Sequence, residues 1–184
     1  MGFQESVHVI LNELDHVLSQ VSEDEVRRAI ELISTSNKIF FNALGRAGFM
    51  GKSFVMRLMH MGREVYVVGE TNTPNYCADD LLIICSGSGS TKQFVDIANK
   101  AHQLGGKVLI ITGTPGSPLT QIADGNLVLK APSKNQAESA FVSAQPMASL
   151  FEQSVLIAGD AIVLELMAHA TNGKEMFERH SNLE

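Results

Sequence analysis

The apolar positions of the chain fall into two alternating patterns, one recurring every three or four residues and one running in short unbroken blocks. Val7, Ile10, Leu11, Leu14 and Leu18 recur at helical spacing, and a second helix opens at Ser22 followed three residues later by Glu25, the spacing of a capping box. Lys38 to Leu44 reads as a short buried strand that ends at Gly45-Arg46-Ala47-Gly48, after which helical spacing returns from Phe49 to Met61. The unit then repeats. Glu64 to Val68 and Asp80 to Cys85 read as strands, the second running into Ser86-Gly87-Ser88-Gly89-Ser90-Thr91 and a helix from about Thr91 to Leu104. Lys107 to Thr112 is the next strand, Ser117-Pro118 fits an N-cap with proline at the first helical position, and Gly125 to Lys130 is a last short strand. Strands alternating with helices predict an α/β fold with a parallel, doubly wound sheet. Pro132 to Gln145 is polar and poor in pattern. Pro146 to Ala170 is a long apolar helix interrupted by Glu152, Asp160 and Glu165, expected to be buried rather than membrane-spanning.

Composition narrows the class. The 184 residues suffice for one sizeable core and show no linker, so a single domain is expected over 1–184, with helices at its N-terminus and a helical segment at its C-terminus. At 45% hydrophobic and 18% charged residues the chain is too apolar for disorder. A net charge of -6 without a Lys/Arg run excludes a nucleic-acid partner tracked along its phosphates, while local donors can still hold a small anion. Cys77 and Cys85 make no disulfide framework and fit a reducing cytoplasm. Met1 to Leu18 carries Glu5, Glu13 and Asp15 within its apolar pattern, unlike a signal peptide or a membrane span.

Candidate chemistry collects where a parallel sheet gathers ligands, outside the carboxyl ends of its strands, and both glycine segments fall there. In Ser86 to Thr91 the glycines admit close backbone approach, Ser86, Ser88, Ser90 and Thr91 offer hydroxyls, and the following helix offers unpaired N–H donors. Four hydroxyls in six residues exceed what helix capping requires, and the combination suits a phosphate monoester. No Gly-Lys-Ser/Thr completes a Walker A loop. Gly45, Gly48 and Gly51 are spaced three apart instead of as a dinucleotide fingerprint, although Glu70 lies after the next strand, where a ribose-binding acid would stand. Along the long helix Ala148, Glu152, Val155, Gly159, Ile162 and Leu166 form one stripe on which Glu152 alone is charged. Spacing leaves Glu152 open as an ion-pair partner near the helix N-terminus or as a general base whose pKa burial raises. His60 and His180 are candidate proton-transfer groups, to be weighed against plain packing or solvation. His8, His16, His102 and His169 have no zinc spacing, and Met56, Met59 and Met61 read as core filling, so no metal and no cofactor are expected.

Several segments together carry a resemblance. Gly45-Arg46-Ala47-Gly48, Met56-Arg57-Leu58-Met59-His60, Gly69-Glu70-Thr71, Ser86-Gly87-Ser88-Gly89 and Gln145-Pro146-Met147-Ala148-Ser149-Leu150-Phe151-Glu152-Gln153 resemble the 6-phospho-3-hexuloisomerases of the sugar-isomerase (SIS) family, from the first helix to Arg179-His180-Ser181-Asn182-Leu183-Glu184. The resemblance implies a single SIS domain of three layers, α/β/α and flavodoxin-like, with a five-stranded parallel sheet, assembled as a cytoplasmic homotetramer with active sites near subunit interfaces. It implies conversion of D-arabino-hex-3-ulose 6-phosphate to fructose 6-phosphate through a cis-enediol, after formaldehyde has condensed with ribulose 5-phosphate, without metal or nucleotide. Glu152 is then the expected base, because the charged residue on the apolar stripe coincides with the family's Phe-Glu-Gln. His60 or a neighbouring subunit's His180 is expected to assist. Gly45, Arg46, Ser86, Gly87, Ser88, Ser90 and Thr91 are expected to hold the phosphorylated sugar. Ala47 stands where the family pattern Gly-Arg-Ser-Gly has serine, and Ser90 where Ser-Gly-Ser-Gly-Glu-Thr has glutamate, which bears on affinity or substrate choice. An isomerase of arabinose 5-phosphate or sedoheptulose 7-phosphate, or a non-catalytic sugar-phosphate-binding module, are the alternative readings.

Overall fold

The apolar blocks are strands: β1 Lys38–Ala43, β2 Glu64–Val67, β3 Leu81–Cys85, β4 Lys107–Thr112 and β5 Gly125–Val128. In the computed structural model they form one sheet in the order β2-β1-β3-β4-β5, and every adjacent pair is parallel. The helices are α1 Phe3–Leu18, α2 Glu23–Thr35, α3 Gly45–His60, α4 Lys92–Gln103, α5 Pro118–Ile122, α6 Ser149–Ala170 and α7 Gly173–Glu178. The structure describes residues 1–132, 134, 141–170 and 173–183, with the side chains of 169 and 170 left aside. Part of the polar stretch expected from Pro132 to Gln145 therefore lies outside the described residues, as do the His169 side chain and Glu184.

The unbroken apolar runs follow from burial on both faces of the sheet. Ile39, Phe41, Leu81, Ile83, Leu109, Ile111 and Leu127 point to one side, where they meet Val17 of α1, Ile33 of α2, Leu58 of α3 and Phe151 of α6. Phe40, Leu82, Ile84, Val108 and Ile110 point to the other, against Phe94 and Ala98 of α4 and Leu119 of α5. The result is three layers, α/β/α. Each such side chain taken out of water contributes about 1.5–3 kcal/mol before conformational entropy is set against it. Because β1 continues to β2 on one side and β3 to β4 on the other, right-handed crossovers put α3 and α4 on opposite faces. A crevice is left outside the ends of β1 and β3, where the strand order reverses.

Local structure differs from the periodicity in several places: β5, for one, ends at Val128 and not at Lys130. Gly45-Arg46-Ala47-Gly48 is the first turn of α3, not a loop, and α6 begins at Ser149 instead of Pro146. The capping box at Ser22 and Glu25 does not form: Ser22 is the N-cap but its side chain makes no cap bond. Glu25 Oε2 instead accepts the backbone N–H of Val128 at 2.8 Å. A charge-assisted bond to an amide on the edge strand outweighs a local cap that water can replace.

Helix α3 lies unusually close to β1. A Cβ at Gly51 would stand 2.0 Å from Cζ of Phe41, whose ring is buried in the core, so only glycine fits there. On its other side α3 runs alongside α6: Arg46 bonds Glu152 near their starts, and Phe54 lies against Gly159 further along. The two helices are thus parallel, and both begin at the crevice. Among the described residues no helix is long and apolar enough to cross a membrane.

At the opposite end of the sheet Asp124 joins β4 to the segment before β5. It accepts from the Val108 N–H at 2.9 Å and Lys107 Nζ at 3.1 Å, and pairs with His102 Nε2 at 2.9 Å. Burial alone would raise its pKa, but the bonds from Val108, His102 and Lys107 together hold it below the usual carboxylate value. A depressed carboxylate stabilises the fold at pH above its unfolded value, near 4, and loses that contribution as pH falls through the folded value. Asp124→Asn is expected to cost about 1–2 kcal/mol at pH 7, with the difference from wild type closing in acid. Urea titrations at several pH values measure this, and equal stability at pH 7 would show that the bonds contribute nothing.

Candidate functional site

A cavity of about 470 Å³ occupies the crevice outside β1 and β3, a size suited to a small ligand. Three segments line it: Gly45, Arg46 and Ala47 opening α3; Ser86, Gly87, Ser88 and Thr91 between β3 and α4; and Ala148, Phe151 and Glu152 at the start of α6. The N-termini of α3, α4 and α6 therefore converge on one volume, each bringing unpaired N–H groups and the positive end of its dipole. Arg46 and Lys134 add full positive charges. An acidic chain thus presents a locally cationic cleft, as an anionic ligand requires.

The Ser86 to Thr91 loop is held from behind. The carbonyl of Gly87 accepts from the Gly113 N–H at 3.1 Å, Thr112 Oγ1 at 3.2 Å and Thr114 Oγ1 at 3.0 Å. Gly89 donates its N–H to Ser86 O at 3.1 Å and accepts from the Leu119 N–H at 3.0 Å. Its φ of +59° lies in the left-handed region, and a Cβ there would stand 2.1 Å from Ser117 Oγ. Among the described residues, the N–H groups of Gly87, Ser88 and Thr91 have no acceptor within the chain. Ser90 does not line the cavity. Its Oγ donates to Ser88 Oγ at 3.2 Å, which leaves the Ser88 proton free to point at a ligand.

Glu152 lines the same cavity as this loop with its side chain only 11% exposed, and Arg46 Nη1 donates to Oε2 at 2.6 Å. The ion pair and the α6 dipole offset the desolvation of the carboxylate. Behind them the Cys85 thiol is pushed up to about 12, first by burial and then by the negative charge of Glu152. It stays neutral and is no nucleophile.

The structure brings Gly45, Arg46, Ser86, Gly87, Ser88, Thr91 and Glu152 together. It separates them from His60 and His180. His60 ends α3, roughly 22 Å along the axis from Gly45 at about 1.5 Å per residue, so within one chain it does not reach the cleft. There it is buried, 3.2 Å from Arg57 Nη1 through Nδ1 and stacked on His180 at 5.3 Å. Burial lowers its pKa, and the nearby charges of Arg57 and His180 lower it further. The dinucleotide alternative loses its support, because Gly51 packs on β1 and Glu70 pairs with Lys52 at 3.0 Å on the surface. Pattern reading missed Lys134, which sits in a stretch without periodicity. It also passed over Glu13, whose position on the apolar stripe of α1 is the same signal that singles out Glu152. Among the described residues no three His, Cys, Asp or Glu side chains gather as a metal site.

A helix-flanked parallel sheet with a hydroxyl loop at its switch point is shared by several families, so relatives decide between them. The SIS-domain family model matches residues 32–157. The chain belongs to the SIS-domain family. Across its whole length this SIS chain is 42% identical, over 187 residues, to the 3-hexulose-6-phosphate isomerase of Bacillus subtilis strain 168, covering 100% of each. It is 33% identical over 180 residues to the 3-hexulose-6-phosphate isomerase of Mycobacterium gastri, covering 97% of this chain and 90% of that one. Among solved structures, a Methanococcus jannaschii protein whose crystal structure led to an inferred function of 3-hexulose-6-phosphate isomerase superposes with a TM-score of 0.81. The two share 32% identity, with 98% of this SIS chain and 99% of that chain covered.

Loop geometry makes the first site prediction. Gly89→Ala forces a side chain into the left-handed region and against Ser117, costing about 2–3 kcal/mol in stability and shifting Ser88 and Thr91. The stabilisation by fructose 6-phosphate, read as the rise in Tm, is expected to fall sharply in the variant; an unchanged rise would show that the loop does not hold the ligand.

Proposed function

We propose that this protein interconverts D-arabino-hex-3-ulose 6-phosphate and D-fructose 6-phosphate, the 3-hexulose-6-phosphate isomerase reaction. The observation that carries the reading is one cleft with phosphate donors on one wall and a carboxylate on the other, in a chain similar from end to end to 3-hexulose-6-phosphate isomerases.

The phosphate sits on Ser86, Ser88 and Thr91, with the free N–H groups of the loop and the α4 N-terminus, while Gly45 lets the α3 backbone approach it. Anchoring C6 fixes how far C2 and C3 lie from the base. Glu152 removes the proton from C2 of the 3-hexulose, the C2=C3 cis-enediolate forms, and the same carboxylic acid returns the proton to C3. The carbonyl moves from C3 to C2 as the O2 proton passes to O3. Arg46, already at Glu152, stabilises the enediolate oxygens or the phosphate. Ala47 brings a methyl where the related pattern has a hydroxyl, and Ser90 contributes through Ser88.

The proton shuttle between oxygens is assigned to the exposed His180, backed by the buried His60 on which it stacks and delivered by a neighbouring subunit in a cytoplasmic homotetramer. Exposed apolar side chains on the outer stripes of α3 and α6, Phe49 and Met56 with Ile157 and Leu164, support such an assembly. The physiological place is the step after aldol condensation of formaldehyde with ribulose 5-phosphate.

In heavy water, fructose 6-phosphate is expected to gain deuterium at C3 with the wild-type protein. Glu152→Gln keeps the shape and removes the base, so kcat is expected to fall roughly 10²–10⁴-fold. Near-normal turnover in that variant would remove Glu152 from the role, and exchange at C1 instead of C3 would point to a different isomerase. Subunits carrying Glu152→Gln and subunits carrying His180→Ala, each inactive alone, are expected to recover activity when co-assembled. Failure to recover in demonstrated mixed oligomers would exclude a shared site.

A further inference from the structure

Helix α1 contributes nothing to the lining of the cleft, yet one of its side chains reaches the segment from which Glu152 hangs. Glu13 follows the buried stripe that Leu14 and Val17 mark, and its carboxylate is nine-tenths buried. It accepts from Ser143 Oγ at 2.7 Å, the Ala144 N–H at 2.7 Å and Gln145 Nε2 at 2.9 Å. Ser143 and Gln145 are as buried as Glu13, and Ser143 Oγ also accepts the Gln145 N–H at 3.0 Å. All of this lies within a few residues of Ala148, the first cleft residue of that segment, and of the start of α6 at Ser149. The intervening chain bends through Met147 at a φ of +61°. A bend of that kind persists only where its surroundings fix it, and the Glu13 clasp is the anchor on its N-terminal side.

We propose that Glu13 is a positioning residue for the isomerisation: by clasping residues 143–145 it sets where α6 begins, and so where the Glu152 carboxylate stands relative to the phosphate loop. The inference rests on the reading of Glu152 as the base. A carboxylate fits the task because all three partners present donors, and an ionised acid is acceptor-only. Glutamine at this place keeps one acceptor oxygen and turns an N–H₂ group toward the other partners, so Ser143 or Gln145 has to reorient to meet it in a buried site. Proton abstraction is sensitive to displacements of about 1 Å, so a loosened clasp acts on turnover more than on substrate capture, which the Ser86 to Thr91 loop performs on a different wall.

Two measurements on the full-length protein test this. In Glu13→Gln, assayed well below its Tm, kcat is expected to fall about 10–100-fold while KM stays within about threefold. Ser143→Ala removes one donor to Glu13 and the acceptor of the Gln145 N–H but keeps Glu13 charged with two donors, so it is expected to give a smaller fall of the same kind, and it serves if Glu13→Gln does not fold. Amide hydrogen exchange of wild type and variant provides the second readout, independent of turnover. Exchange is expected to rise across residues 143–152 and to stay unchanged in the central strands. A folded variant with wild-type kcat, a rise in KM alone, or exchange that rises evenly through the molecule would overturn the proposal. If wild-type protein places no deuterium at C3 of fructose 6-phosphate, the isomerase reading fails on its own, while the exchange pattern still decides whether Glu13 positions α6.

Discussion

The contact on which the rest of the molecule depends is the close approach of α3 to β1, made where Gly51 meets the ring of Phe41. It places the helix axis near enough to the sheet for Phe54 and Leu58 to enter the core, while the far side of α3 stays available to α6. Because α3 starts directly after β1, the same approach sets Gly45, Arg46 and Ala47 at the carboxyl end of the sheet. With α6 parallel to α3, Glu152 falls beside Arg46 and into the cavity that the Ser86 loop also lines. The constellation proposed for catalysis is therefore a consequence of how α3 stacks on β1 and α6 on α3, and its precision comes from rigid elements.

Electrostatics then divides the cleft. In the proposed reading a dianionic phosphate and the Glu152 carboxylate repel each other, and one small site has to hold both at a fixed spacing. Helix termini answer part of this, since α4 opens beside the proposed phosphate loop and α6 carries Glu152 in its first turn, each supplying its own partial positive charge. Arg46, between the two, can neutralise either. The chain's net charge of -6 says nothing about such a site, because the decisive charges are local and partly those of the backbone.

That difference explains what could be read from the sequence. The five strands were legible because both faces of the sheet are buried and the apolar runs are unbroken, and the hydroxyl loop was legible because its composition is unusual. Glu152 stood out as the charge on an apolar stripe, though spacing could not say that Arg46, 106 residues away, would meet it. The fate of Glu25 was hidden for the same reason: its amide partner, Val128, lies 103 residues on, and local capping rules weigh only near neighbours. Glu13 carried the same stripe signal as Glu152 without a motif to draw attention to it. Long-range polar partners have no periodicity, and periodicity is what a single sequence displays.

The two ends of α3 supply the last step. One end opens the cleft and the other carries the buried His60, stacked on His180 of the C-terminal segment that follows α7. A single chain holds these ends apart by the length of a 16-residue helix, so no side-chain motion within it joins them. In the assembly proposed above, a two-fold axis that sets α3 antiparallel to its copy brings each His pair toward the other cleft, and one isologous contact completes two sites at once. Exposed Phe49 and Met56 on α3, with Ile157 and Leu164 on α6, supply apolar surface for such a contact. On this view the oligomer is part of the chemistry, because the base and the oxygen-to-oxygen shuttle belong to different chains, and the rigidity of α3 that keeps them apart in one subunit is what aligns them across two.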